Sequence, residues 1–238
     1  MSYIVGTAGE VNDARKAVDV SVERETWSVV TDPDELRELV GAPVRRVVDK
    51  VRTRLHELDR EWLAAAPLCL VATAGADGSC DVSPRGDPPG FTRVIDDRTI
   101  AIPDRPGNRR VDAFRSILEN PHVGLIFVIP GRGDTLRING TAELVRDAPF
   151  FDAMTVKGHR PVLALAVHIE AVFYHCSKAF LRSSVWDPSS WAPDRVPSRA
   201  RIAQTLEQPG ESLARLEEYY GPDYAERLYG DRPSRLGP

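Results

Sequence analysis

Lysine is scarce in this chain: of its 31 basic residues only four are lysine and the rest are arginine. Arginine's planar fork suits bidentate contact with phosphate or carboxylate, although a compositional bias of the genome accounts for the skew more simply. Cysteine is scarce as well. Cys69, Cys80 and Cys176 form an odd, widely spaced set without a C-x-x-C pair, which argues against a disulfide scaffold or a thiolate zinc site. No apolar run approaches the length of a membrane span, and the N-terminus lacks a charged-then-apolar leader pattern. The expected setting is therefore the cytoplasm, with no membrane partner. A net charge of −4 supplies no global field toward nucleic acid either.

The nucleotide and hydrolase fingerprints are also missing. Gly131-Arg132-Gly133 has Leu136 where a third glycine would stand, and it lies between strands rather than before a helix. The chain has no GK[ST] triplet, no G-x-S-x-G elbow and no HExxH pair. His175-Cys176 falls on a strand, where adjacent side chains point to opposite faces, so the two do not serve one site. Asp96-Asp97 reads as a turn. No metal site and no catalytic acid, base or nucleophile is expected.

What is present is one large domain with extensions. Residues 1–32 are polar and weakly patterned, an N-terminal arm. Asp32 and Pro33 open a helix that stops at Gly41-Ala42-Pro43. A longer helix is expected from Val44 to Ala65, with Val44, Val47, Val48, Val51, Leu55, Leu58 and Leu63 as its apolar stripe. Residues 33–66 thus read as N-terminal helices packing on the domain that follows. Strands are expected at 68–73, 80–86, 98–103, 122–129, 136–144 and 162–174, with one helix at 108–119 between the third and fourth. In the fifth strand Leu136, Ile138, Gly140, Ala142 and Leu144 take the apolar side. In the sixth, Leu165, Val167, Ile169 and Phe173 oppose His168 and Glu170. Six strands with short turns and one inserted helix give a mainly β (α+β) fold, an antiparallel barrel over residues 67–186. Residues 187–238 hold a Pro/Arg-rich segment and a C-terminal helix at about 212–229.

Gly107-Asn108-Arg109-Arg110 is the most pointed local signal. Asn108 is a candidate N-cap, which would place Arg109 and Arg110 at the positive end of the helix dipole. Cations there are unfavourable by roughly 0.3–1 kcal/mol each. A bound anion would resolve the conflict; so would exposure to water or pairing with Asp104 and Asp112. Two further polar segments stand out. In Ser83-Pro84-Arg85-Gly86 the proline marks an edge or bulge. Arg137, Asn139 and Thr141 form a polar strand face that reads equally as ordinary solvent exposure.

Four stretches occur in order: Ser83-Pro84-Arg85-Gly86-Asp87, Pro106 to Arg110, Glu119-Asn120-Pro121 to Phe127, and Leu136 to Ala142. Together they resemble the pyridoxamine 5′-phosphate oxidase-like, FMN-binding split-barrel family, over about residues 60–176. The resemblance implies an FMN cofactor with its phosphate on the turn Asn108, Arg109, Arg110. It places Ser83, Pro84 and Arg85 along the flavin, Ile102 and Pro103 close to it, and Arg137 and Asn139 nearby. It further implies a homodimer with FMN at the subunit interface and hydride transfer on a small-molecule substrate, with NAD(P)H a candidate donor. Lys178, Arg182 and Trp186 are candidates for the substrate side. The stretch from His175 to Trp186 does not align with the basic, histidine-bearing segment that grips pyridoxamine phosphate, so that particular oxidation is not expected. A flavin store or sensor, or a relative using F420 or haem, is the alternative.

Overall fold

The computed structural model describes residues 27–229. Most of the expected arm, residues 1–26, and the last nine residues lie outside them. The chain divides into two units, Met1–Arg45 and Arg46–Pro238. In the first, α1 (Pro33–Val40) begins as its sequence dictates. Asp32 accepts from the amides of Asp34 and Glu35 at 3.2 and 3.4 Å, Pro33 opens the helix, and Gly41 ends it in a left-handed conformation (φ 75°).

The long helix expected from Val44 to Ala65 is two helices, α2 (Arg45–Val48) and α3 (Glu57–Ala65). Between them the backbone is committed elsewhere. Arg52 exchanges two hydrogen bonds with Val172 at 3.0 and 2.7 Å, and the Leu55 amide donates to the Asp97 carbonyl at 2.8 Å. His56 then restarts the helix in a capping box with Asp59. Of the expected stripe only Leu55 and Leu63 are buried; Val47, Val48, Val51 and Leu58 remain exposed.

Seven strands follow, all paired antiparallel: β1 (Leu68–Ala74), β2 (Cys80–Gly86), β3 (Arg93–Val94), β4 (Thr99–Pro103), β5 (His122–Val128), β6 (Thr135–Val145) and β7 (Ala164–His175). Their order is β2-β1-β5-β6-β7-β4-β3. The seventh strand, β3, is only two residues long, too short to carry a periodic signal. The helix α4 (Asp112–Glu119) joins β4 to β5 and packs on β1, β2 and β6. The inner face is closed by Val71, Ile100, Ile102, Leu125, Phe127, Leu136, Ile138, Val167 and Ile169, with Leu63 from α3 and Ile117 from α4. Each such side chain contributes about 1.5–3 kcal/mol on burial. The result is a split barrel, open between the edge strands β2 and β3.

One irregularity changes the faces. Asn139 pairs with Ala171, but Gly140 pairs with Ile169, leaving Glu170 as an extra residue on β7. Before the bulge Leu165, Val167 and Ile169 face the core; after it Val172 does. Phe173, expected beside Ile169, therefore turns to the opposite face. Gly140 sits on the apolar side as expected, where a Cβ would lie 1.9 Å from the His168 carbonyl oxygen.

Beyond the barrel the chain is more helical than its composition suggests. Short helices α5 (Lys178–Ser183) and α6 (Arg199–Leu206) were not anticipated. The expected C-terminal helix is α7 (Leu213–Tyr219) followed by a 3-10 turn over Pro222–Arg227. Gly221-Pro222 separates them, since proline offers no amide to continue the ladder. Ala200, Ala203 and Leu216 form a small core of their own between α6 and α7. Among the described residues no helix is long and apolar enough to cross a membrane.

Candidate functional site

The turn after β4 departs from its expected form. Asn108 does not cap the helix. Its Oδ1 accepts from the Arg110 amide at 3.0 Å, a local turn, while α4 starts at Asp112 with Val111 in the cap position and no side-chain bond there. Asn side chains compete for nearby amides in this way. Arg109 stands in the left-handed region at φ 60°. Both arginines thus precede the helix, and the dipole conflict inferred from sequence is relieved: Asp112 occupies the favourable first-turn position, and its Oδ2 accepts from Arg110 Nε at 2.8 Å. Both arginines are exposed.

Arg85 arrives at the same helix turn from another strand. On β2, Asp81, Ser83 and Arg85 face the side of Thr73, Val71 and Cys69, their partners on β1, while Val82 and Pro84 face the other way. The Arg85 guanidinium carbon lies 5.3 Å from the centre of the Phe114 ring, in the first turn of α4. Ser83 Oγ, on the same strand face, is buried and has no hydrogen-bond partner. Close by, burial pushes the Asp104 carboxyl above the usual range, with the Arg85 charge opposing that rise. Arg85 and Arg110 thus both reach the first turn of α4, one at Phe114 and the other at Asp112, with Arg109 next in the turn and the orphaned Ser83 hydroxyl on the strand face of Arg85. Such a donor set fits a phosphate monoester.

Ile102 is a core side chain and Pro103 is buried at the end of β4, so any ligand contact from Ile102 is through its backbone. Arg137 and Asn139 stand on the face of β6 opposite the core. Arg137 stacks over Phe173 at 5.0 Å, with its Nε buried and unpaired; Asn139 Oδ1 lies over Gly124. Within one chain they are not brought to Ser83 and Arg85. Trp186 is engaged elsewhere: its indole N–H donates to the Arg132 carbonyl at 2.7 Å and its ring stacks on Phe180. It holds the β5–β6 turn, because a partly buried indole N–H takes an available acceptor. Lys178 and Arg182 are exposed on α5.

The sequence reading assigned nothing to the segments that leave β2 and β4. There Asp87, just beyond β2, pairs with Arg105, just beyond β4, Nε to Oδ2 at 2.6 Å. Arg105 also donates to the carbonyls of Met154 and His159 at 2.7 and 3.3 Å. The Tyr229 hydroxyl donates to the other oxygen of Asp87. Asp87 closes the Ser83–Asp87 stretch and Arg105 precedes the basic turn, but their pairing spans the fold and leaves no local pattern.

Comparison with known proteins follows the barrel. No curated protein matches the chain. Among solved structures, HupZ of Group A Streptococcus is 21% identical, covering 50% of this chain and 93% of its own, with a TM-score of 0.41. A Clostridium acetobutylicum protein related to general stress protein 26 of B. subtilis, of the pyridoxinephosphate oxidase family, is 18% identical over 50% of this chain and 86% of its own, TM-score 0.38. An FMN-binding protein from Syntrophomonas wolfei is 14% identical over 50% and 90%, TM-score 0.38. The family model for pyridoxamine 5′-phosphate oxidase matches residues 55–176, just over half of the chain, from the end of the Arg52–His56 link to the end of β7. The chain belongs to the pyridoxamine 5′-phosphate oxidase-like family of split-barrel proteins.

Proposed function

We propose that this protein binds FMN and acts with it as an oxidoreductase on a small molecule. The observation that carries this reading is the meeting of Arg85 and the Arg109-Arg110 turn at the first turn of α4, beside the unpaired Ser83 hydroxyl. Arg85, Arg109 and Arg110 would hold the phosphate dianion, with each charged hydrogen bond contributing about 1.5–3 kcal/mol. Ser83 would donate its hydroxyl proton to a phosphate oxygen. Bound FMN would supply hydride transfer; Arg85, Arg109 and Arg110 would hold and orient it by its phosphate.

A second copy of the chain completes this site. Arg137 and Asn139 lie on the opposite face of the sheet from Arg85, so they reach the same cofactor only if another protomer presents that face. The face is suited to it, since Val82 is 63% exposed there with Pro84, Leu70, Ala72 and Ile126 alongside.

The absorbance spectrum of the purified protein, followed by titration with FMN, riboflavin, F420 and haemin, tests the cofactor. Flavin bands with preference for FMN are expected. A protein that ignores FMN and takes F420 or haemin overturns the reading. Bleaching of bound flavin by NAD(P)H, with turnover on an added acceptor, separates an enzyme from a flavin store or sensor.

A further inference from the structure

Asp87 follows the edge strand β2 and Arg105 follows β4, the neighbour of the edge strand β3, and both are withdrawn from solvent, with side chains 1% and 14% exposed. Their surroundings end in an unexpected occupant. The ring of Tyr229 stacks on His159 with centroids 5.9 Å apart and planes 26° from parallel. Lys157 Nζ and the Arg105 guanidinium carbon lie 5.5 and 6.0 Å from the ring centre. The Tyr229 hydroxyl donates to Asp87, and burial raises its own pKa. A residue 142 positions away in sequence is thus caged by groups from three segments.

The cage is close in sequence to both segments that carry the arginines. Asp87 lies two residues beyond Arg85 and Arg105 four residues before Arg109. The Asp87–Arg105 pair therefore fixes the spacing between the two segments that carry the arginines. Tyr229 satisfies the second oxygen of Asp87 and covers the pair. Removing one partner of a buried polar network loosens the rest.

We propose that Tyr229 is a positioning residue for the phosphate site: docking of the C-terminal Tyr229 and anion binding at Arg85, Arg109 and Arg110 are coupled through the Asp87–Arg105 pair. This rests on the phosphate reading above. By linkage, each event strengthens the other by the same factor.

Two measurements on the full chain test it. Flavin fluorescence titrations compare wild type, Y229F and Y229A for FMN and riboflavin. Y229A should weaken FMN at least fivefold and riboflavin less than twofold, with Y229F between. Chymotrypsin can cut after Tyr229 only when its ring has left the cage, so saturating FMN or pyrophosphate should slow that cut at least threefold, while riboflavin should not. Equal FMN affinity in Y229A and wild type, or parallel loss of FMN and riboflavin affinity, overturns the coupling. If no flavin binds but pyrophosphate still slows the cut, the FMN reading falls and the coupling stands. If pyrophosphate also leaves the rate unchanged, both fall.

Discussion

Arg137 lies directly across the β6–β7 ladder from Phe173, its guanidinium carbon 5.0 Å from the ring centre, on the face of the sheet away from the core. The pair exists because Glu170 bulges from β7 and shifts the phase of everything after it. With Glu170 taken into a regular ladder instead, Phe173 would stand opposite Leu136 and point inward, and Arg137 would face Val172. With Val82, Pro84 and Ile126, the pair gives the outer face the mixed aromatic and apolar character of an interface.

Replacing Val82 by glutamate tests that face. Val82 is exposed in the single chain, so the substitution should leave the thermal midpoint of a monomer nearly unchanged. Light scattering should show a dimer for wild type and a monomer for V82E. FMN affinity should fall with dissociation, since Arg137 and Asn139 of the second copy are lost from the site. A wild-type monomer that binds FMN at full strength would remove the interface site.

Arg109→Ala with Arg110→Ala should weaken FMN tenfold or more, about 1.4 kcal/mol per decade, and leave riboflavin nearly unaffected. The contrast isolates the phosphate. Equal losses for the two ligands would show that the turn supports the fold rather than the anion.

Gly140→Ala places a methyl group where the His168 carbonyl already stands. Overpacking of this kind is destabilising by about 1–3 kcal/mol and sometimes more. A lower urea midpoint with an unchanged slope is expected. A midpoint equal to wild type would mean that the bulge relaxes freely.

Asp59 gives a pH signature. Burial pushes its carboxyl upward, but hydrogen bonds from Arg52 and the His56 amide, with the Arg52 charge, outweigh burial and leave it below the usual range. A carboxyl with a depressed folded pKa stabilises the protein above its unfolded value, about pH 4, and that stability is lost as pH falls through the folded value. Urea midpoints should therefore drop below about pH 4 in wild type. Asp59→Asn should be less stable at neutral pH and should show a shallower acid decline. An identical decline in both would assign the acid sensitivity to other carboxylates.

Much of the fold was legible because period and punctuation are local. Asp32-Pro33 and Gly41 bounded α1, the alternation of Leu136, Ile138, Gly140 and Ala142 marked β6, and Gly75 to Gly78 marked the β1–β2 hairpin. The misreadings have two causes. The Val44–Ala65 stripe broke on a distant partner, since Arg52 pairs with Val172, 120 residues away, whereas Asn108 lost the cap to a competing local turn with Arg110. In the candidate site, Arg109 and Arg110 were legible as a basic turn before α4. Trp186 looked available for a ligand only because its acceptor, the Arg132 carbonyl, is distant in sequence.

The sequence by itself determined a mainly antiparallel barrel, its one inserted helix and the basic turn before that helix, since each follows from neighbours within a few residues. The tertiary structure decided which face each polar group occupies. The Glu170 bulge turned Phe173 outward, the strand register set Arg85 and Arg137 on opposite sides of the sheet, and packing of the segments beyond β2 and β4 joined Asp87, Arg105 and Tyr229. Those relations depend on pairing between distant segments, where a one-residue slip reverses every side chain and the sequence carries no local record of the choice.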